Sequence, residues 1–428
     1  MTWFSSTGRL GRQYVLELVH RMADEARLRF CKNPKRVLLL PPDITRAHCG
    51  AGWITEELYK VFSKKAEVHV IPTLGQHVPH TPEQNRKMFG SIPLDRIHAH
   101  DWRDGCKTIG ELPAKFVKEA SNGKANWSIP VSLNTFLLEG DWDLIINVGH
   151  VVPHEVLGFA NHNKNYFIGL GGKPTICASH MMAACCGIEN NLGCLVTPLR
   201  ACYNKMEEDF LSKLPDVYFE LTMAYDENGN LEHTGVFVGE DREVYMEAAK
   251  LSQKQNIKIV RPLQKVIAYM QPDEFQSTWV ANKAIYRTRK AMQNGGELLI
   301  VAPGLKRFGE QPDVDALIRK YGYSGTENIM RLWKENSDLQ DLTHGTAHLI
   351  HGSSEGRFHI IYVTDGLTPE EIEGVGYESR NLDETLRRYD LATLKNGYNT
   401  MPNGEVIYFI NSPSTGLWST RANMNPVE

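Results

Sequence analysis

The 428-residue chain has no run approaching the ~20 consecutive apolar residues needed to span a bilayer, which sets aside a helical membrane protein. Its first thirty residues lack the apolar core of a signal peptide and read as polar chain entering an amphipathic helix. No CxxC pair is present. The eight cysteines are dispersed, apart from adjacent Cys185 and Cys186, which favours reduced thiols and a cytoplasmic location over a disulfide framework. A formal net charge of −4 offers no basic surface for nucleic acid. Internal repeats, low-complexity tracts and an HExxH motif are also absent. What remains is an ordinary globular composition, 42% hydrophobic and 23% charged, in a chain long enough for two domains.

Alternating strand and helix signals predict α/β architecture with mainly parallel sheets. Arg36–Leu40 reads as a buried strand stopped by Pro41-Pro42, and Ile54, Leu58, Val61 and Phe62 then recur at helical spacing. Val68–Ile71 is the next strand, and Thr81-Pro82-Glu83-Gln84 opens a helix with a capping box. Leu144–Val148 is another apolar run. Residues 217–222 and 234–238 flank the turn Asp226–Asn230, a hairpin signal, and a helix over 241–253 follows. Polar Gln253–Asn256 and Arg261-Pro262 mark the boundary between an N-terminal domain, 1–256, and a C-terminal domain, 263–410. The tail, about 411–428, is expected to return to the first domain. The second domain has strands at 266–270, 298–301, 359–363 and 406–410, a helix over 281–292 and a second capping box at Thr368–Glu371.

The chemistry gathers in Gly149–His180, GHVVPHEVLGFANHNKNYFIGLGGKPTICASH, which begins where the strand 144–148 ends. Open α/β sheets place ligands at such carboxyl ends. His150, His154, His162 and His180 fall here, with His77 after another strand; imidazoles suit proton transfer or a borderline metal. A lone histidine is more often a surface or core residue, and a lysine in polar surroundings is more often solvated. Lys164, between Gly158-Phe159 and Gly169-Leu170-Gly171-Gly172, is either such a solvated lysine or one that holds a cofactor covalently, by Schiff base or amide. The glycine run precedes a helix over 176–185 and offers backbone N–H groups to an anion, but Pro174 interrupts any Walker A pattern. Asp43-Ile44-Thr45-Arg46 is either a turn or, at a strand's carboxyl end, a carboxylate or phosphate clamp. Lys283 is a further anion contact or an exposed helical lysine.

Together these segments resemble the lactate racemase family through most of the chain. The likeness rests on Asp43-x-Thr45-Arg46, Gly75-x-His77 with Thr81-x-Glu83, and His100-Asp101, and above all on His154-x-x-x-Gly158-Phe159, Lys164 and His180. The resemblance implies an active site in a cleft between the two domains and a nickel-pincer nucleotide, pyridinium-3-thioamide-5-thiocarboxylic acid mononucleotide. Lys164 would tether it and His180 would ligate its nickel. His77 and His154 would be the paired acid/base residues. Asp43, Thr45, Gly158 and Phe159 would shape the cofactor pocket, and Arg46, Trp279 and Lys283 would contact substrate. The implied reaction inverts C2 of a 2-hydroxy acid by proton-coupled hydride transfer. The implied partners are a small-molecule substrate and, transiently, the enzymes that make the cofactor, with room for a homo-oligomer.

The chain also departs from the family. Ala160-Asn161-His162-Asn163 stands where a small residue and paired glycines are usual, and Trp279-Val280-Ala281-Asn282-Lys283 replaces a Tyr-Gln-x-x-Lys motif. Extra polar groups at Asn161, His162 and Asn163 lean the expected substrate towards a larger or polyhydroxylated acid. Rival readings are a pyridoxal-phosphate enzyme using Lys164, a metal-dependent hydrolase at His150, His154 and His180, and a non-catalytic hydroxy-acid-binding protein.

Overall fold

A computed structural model describes residues 2–226, 229–414 and 416–424. The chain divides into two compact units, 1–182 with 193–256, and 183–192 with 257–428. The first unit contains β1 (Thr2–Leu10), β2 (Arg36–Leu40), β3 (Glu67–Val70), β4 (Cys106–Leu112), β5 (Ile129–Asn134), β6 (Leu144–His150), β7 (Pro153–His154), β8 (Gly158–Phe159), β9 (Asp216–Tyr225) and β10 (Leu231–Gly239). Its main sheet has the order β1-β10-β9-β6-β2-β3. From β9 to β3 neighbours are parallel, while β10 is antiparallel to both β9 and β1.

The two faces of this sheet differ. Side chains alternate along a strand, so Val37, Leu39, Leu144, Ile146, Val148, Val217, Phe219 and Leu221 all point to one side. There they meet Val15, Val19 and Met22 of the helix Arg12–Arg29 and Ile54, Leu58 and Phe62 of the helix Ala51–Phe62 in one apolar core. The opposite face carries Asn147 and Gly149 on β6 and Asp216, Tyr218, Glu220 and Thr222 on β9, and the segment 158–169 is bonded to that polar face.

In the second unit, β11 (Ile257–Ile259) is followed by β12 (Leu263–Tyr269), β13 (Met292–Val301), β14 (His359–Val363), β15 (Glu378–Arg380), β16 (Gly397–Thr400), β17 (Val406–Ile410) and β18 (Leu417–Ser419). The order β15-β14-β13-β12-β17-β16 is parallel except at the edge strand β16. Ile267, Leu299, Val301, Ile361 and Phe409 form a core on one face.

Both capping boxes form, at Thr81/Gln84 and Thr368/Glu371. The expected hairpin is β9 and β10; Glu227 and Asn228 of its turn lie outside the described residues. Three expectations need correction. Residues 2–10 are an edge strand rather than loose polar chain, held mainly by backbone pairing to β10. The helix expected over 281–292 is two short helices, Thr278–Ala281 and Lys283–Thr288, and Met292 already belongs to β13, in register with Leu263. The tail does not join the first unit's sheet: β18 pairs in parallel with β11 of the second unit. No helix among the described residues is long and apolar enough to cross a membrane.

Candidate active site

The ends of β2, β3 and β6 are followed by the segments that carry the predicted residues. After β2, Pro41-Pro42 stops pairing, and Asp43 caps the 3₁₀ turn Ile44–Cys49 by accepting the Thr45 N–H at 3.0 Å. Gly50, at φ +77°, closes that turn in the left-handed region where glycine carries no penalty. The Ile44 N–H donates to His80 Nε2 at 2.8 Å, so a histidine absent from the sequence reading holds the turn from outside. After β3, Thr73 donates its N–H to Pro41 O at 2.8 Å and Gly75 donates to Gly169 O at 2.9 Å. A Cβ on Gly169 would lie 2.5 Å from Thr73 Cβ, so the loop leading to His77 closes on the segment after Lys164 only because the glycine has no side chain.

These contacts bring His77 onto Asp43. Asp43 is buried, which pushes its carboxyl up; the charge and hydrogen bond of His77, the Thr45 bond and the Arg46 charge outweigh this and hold it well below the usual carboxylate range. An ionised carboxylate only accepts, so His77 donates Nδ1–H to Asp43 Oδ2 and Nε2 is the ring nitrogen left facing away from that bond. The His77 side chain is 39% exposed while Asp43 is 7% exposed, so the base end faces outward from a fixed root. His154 has the complementary arrangement. It lies in β7, opposite Gly158 of β8, and its Nδ1 accepts the Val156 N–H at 3.2 Å, which leaves the neutral ring's proton on Nε2. Gly158 has φ +81°, and a Cβ there would lie 2.0 Å from Cys194 O.

Lys164 starts a single π-helical turn, Asn165–Gly169, and is partly buried. Burial lowers its amine to about 8; Arg46 and Arg200 act in the same direction, and Asp43 and Glu155 oppose it. His180 lies within the helix Lys173–Cys186 and donates Nδ1–H to Ile176 O at 2.8 Å. Burial lowers it to about 4, with Lys164 lowering and Glu155 raising it, so the ring is neutral at pH 7 with its lone pair on Nε2. Asp43, Arg46, Glu155, Lys164 and His180 therefore share one electrostatic neighbourhood, with His77 bonded to Asp43 and His154 adjacent to Glu155. Glu155 had not been singled out.

Other expectations changed. The glycine run is no anion cradle: Gly171 N–H goes to Ile168 O, Gly172 N–H to Ser132 O and Lys173 N–H to Trp102 O. His100 is buried between Asn134 and Gly171 O, lowered to about 4 by burial, and acts as a structural link. His150 is buried at the end of β6, its ring 6.0 Å from that of His48. Asn161, His162 and Asn163 are buried and bonded to Glu220, Arg200 and Glu207, so they do not offer hydroxyl contacts to a substrate. In the second unit Trp279 lies 4.4 Å from the ring of His348, whose Nδ1 is hydrogen-bonded to Tyr286 Oη at 2.9 Å. Lys283 starts the helix Lys283–Thr288 with its ammonium 5.6 Å from the Phe275 ring. The helix Thr343–His351, one of the amphipathic helices expected between the strands at 298–301 and 359–363, carries His344 and His348 on one face, histidines that the sequence did not single out.

The donor set fits a metal carried by an organic group. Among the described residues no cluster of three or more His, Cys, Asp or Glu could hold an ion. A protein-bound zinc needs three or four such ligands. One neutral imidazole beside an amine of lowered pKa and an arginine instead suits a tethered anionic cofactor whose own atoms supply the remaining ligands.

This is a two-unit α/β protein with the Asp43–His77 pair, a partly buried Lys164 and His180 in segments that follow strands of its first unit. Residues 12–191 match the lactate racemase N-terminal domain. Two solved structures share the fold. A protein from Thermotoga maritima is 24% identical, with 97% of this chain and 100% of that chain covered at a TM-score of 0.81. The lactate racemase apoprotein from Thermoanaerobacterium thermosaccharolyticum is 15% identical, with 94% and 92% covered at a TM-score of 0.69. No curated protein matches the sequence.

Proposed function

We propose that this protein is a racemase or epimerase of 2-hydroxy acids that uses a nickel-pincer nucleotide. The supporting observation is the shared neighbourhood of Lys164, His180, Arg46 and the Asp43–His77 pair. Lys164 would hold the cofactor, and His180 would ligate its nickel through Nε2. When bound, that group supplies the hydride acceptor.

The chain's own residues supply the rest. Arg46 gives a charge-assisted anchor for the substrate carboxylate. His77, with Nε2 as acceptor, takes the hydroxyl proton of one enantiomer, and His154, with Nε2–H as donor, returns a proton on the other side; the two exchange roles in reverse. A base directed at the hydroxyl avoids abstraction of the very weakly acidic Cα–H. Asp43 stabilises the imidazolium as His77 takes its proton. Trp279 and Lys283 are the second unit's candidates for substrate contact. Because Asn161, His162 and Asn163 are engaged internally, the substrate panel runs from lactate to aldonic acids.

The test is intact mass and nickel content of protein co-expressed with the cofactor-making enzymes, followed by chiral analysis of a 2-hydroxy-acid panel. The expected result is an adduct on Lys164, nickel near one per chain, and inversion at C2. A visible aldimine band without nickel would establish the pyridoxal reading instead. Stoichiometric zinc with activity surviving Lys164→Ala would establish the hydrolase, and binding without turnover of the loaded protein a sensor.

A further inference from the structure

The segment that delivers Lys164 is held in an unfavourable backbone shape by a buried polar network. Asn161 and His162 are consecutive non-glycine residues at φ +70° and +60°. The left-handed region is unfavourable for an L-residue, and asparagine is among the few that visit it routinely. Two in succession persist only where their surroundings fix them.

The surroundings here are specific. Glu220, fully buried on the polar face of β9, accepts from Asn161 Nδ2 and bonds His162 Nδ1 at 3.1 Å. The His162 ring lies 3.9 Å from that of Tyr218 and 5.3 Å from that of Tyr245. From the other side the buried Arg200, on the helix Pro198–Met206, grips the backbone itself. Its guanidinium donates to Phe159 O at 2.6 Å, to Asn161 O at 3.4 Å and to Asn163 Oδ1 at 2.5 Å. Asn163 Nδ2 is then taken by Glu207 at 3.0 Å, and Asn165 Nδ2 donates to Asn147 Oδ1 at 2.7 Å. Gly149 completes the seat, because a Cβ there would lie 2.0 Å from Asn161 Oδ1. Every residue from 159 to 165 except Ala160 and Lys164 thus has a named side-chain or carbonyl bond to this network. Lys164 is the one long side chain in the loop that the network leaves for other work.

From this arrangement we infer that Glu220 and Arg200 are positioning residues, which hold the strained Asn161–Asn163 turn so that the amine of Lys164 meets the cofactor it is to bind. The inference rests on the cofactor reading above.

The test uses the full chain in four variants, Glu220→Leu, Glu220→Gln, Arg200→Met and Asn161→Gly. Asn161→Gly tolerates the positive φ and removes only the side-chain bonds, so it keeps the test decisive if Glu220→Leu or Arg200→Met fails to fold. Two readouts are taken: hydrogen exchange of the peptide 158–169 in cofactor-free protein, and the fraction of Lys164 carrying the adduct after co-expression with the cofactor-making enzymes. In Glu220→Leu, Arg200→Met and Asn161→Gly, exchange of that peptide should rise roughly tenfold while peptides of β2 and β3 stay unchanged. The adduct fraction should fall by a similar factor, and Glu220→Gln, which keeps an acceptor for Asn161, should restore both. Undiminished adduct on these variants, with adduct on the wild type, overturns this inference alone. Unchanged exchange of 158–169 does the same. No adduct on the wild-type protein overturns the functional reading and this inference with it.

Discussion

Asp43→Asn is the sharpest probe of the proposed proton chemistry, because it changes one proton and little else. Asp43 accepts the Thr45 N–H and hydroxyl on one oxygen and His77 Nδ1–H on the other. Asparagine is as good a helix cap as aspartate, so the turn should survive with its carbonyl towards Thr45. The amide NH2 then faces His77, donor against donor, and the imidazole relieves the conflict by moving its proton to Nε2. The lone pair that would take the substrate's proton is gone. General-base catalysis contributes roughly 100- to 10,000-fold, about 3–5.5 kcal/mol of barrier, and a comparable Asp-to-Asn change beside a catalytic histidine costs roughly 10,000-fold. The expected outcome is a loss of that size in kcat for C2 inversion, with KM, nickel and adduct unchanged, and a His77 ¹⁵N spectrum showing the opposite tautomer. A pH effect accompanies it. The carboxyl of Asp43 is lowered by folding, so between its folded pKa and its unfolded value of 3.8 the unfolded chain binds the extra proton. Its stabilisation is therefore complete above about pH 4 and is lost as acid is added, and Asp43→Asn should flatten that acid limb. A variant that keeps kcat within threefold of wild type with the tautomer demonstrably reversed would refute the assignment of His77 as base.

Two further outcomes follow from single contacts. Gly149→Ala drives a methyl to 2.0 Å from Asn161 Oδ1 and should cost about 1–3 kcal/mol in urea unfolding. Gly374→Ala, with nothing within 4 Å of the added carbon, should be neutral, and equal effects would show that Gly149 is not a packing constraint. His180→Ala loses only a local bond to Ile176 O, so the helix should stand and the Lys164 adduct should form while nickel is absent by elemental analysis; retained nickel would remove His180 as its ligand.

What could be read from the sequence was whatever depended on residues close together along it. Arg36–Leu40 was legible to the residue because an apolar run ends abruptly at two prolines, and Thr81/Gln84 and Thr368/Glu371 because a capping box is complete within four positions. β1 was not, since only Phe4 and Leu10 of its nine residues are buried and its pairing is made by backbone atoms that no side-chain pattern reports. The break in the helix expected over 281–292 was hidden for a similar reason: Ala291 and Met292 are buried as a helix face would be, yet Leu263, far back in the chain, recruits Met292 into a strand. Lys164 and His180 were singled out because their order and spacing resemble the lactate racemase pattern. Arg200 and Glu220 were missed because their significance appears only when segments some forty to sixty positions apart are brought together.

A signal for Glu220 was nevertheless present. The stretch Asp216-Val217-Tyr218-Phe219-Glu220-Leu221-Thr222 alternates strictly, and alternation predicts a strand with one apolar and one polar face. The usual inference would put the polar face in water, but β9 lies inside its sheet between β6 and β10, with Tyr218, Glu220 and Thr222 all buried. A central strand with one polar face must find its hydrogen bonds within the protein, because unpaired buried polar groups are costly. The partners it finds are the side chains of the turn before Lys164. The sheet therefore divides its duties by face: Val217, Phe219 and Leu221 join the apolar core that stabilises the unit, while Tyr218 and Glu220 spend hydrogen bonds and burial on fixing one loop. Burying a carboxylate raises Glu220 to about 8 even with Asn161 and Arg200 opposing that rise, a cost an apolar residue would not incur. The compensation is local order at the lysine on which the proposed chemistry depends.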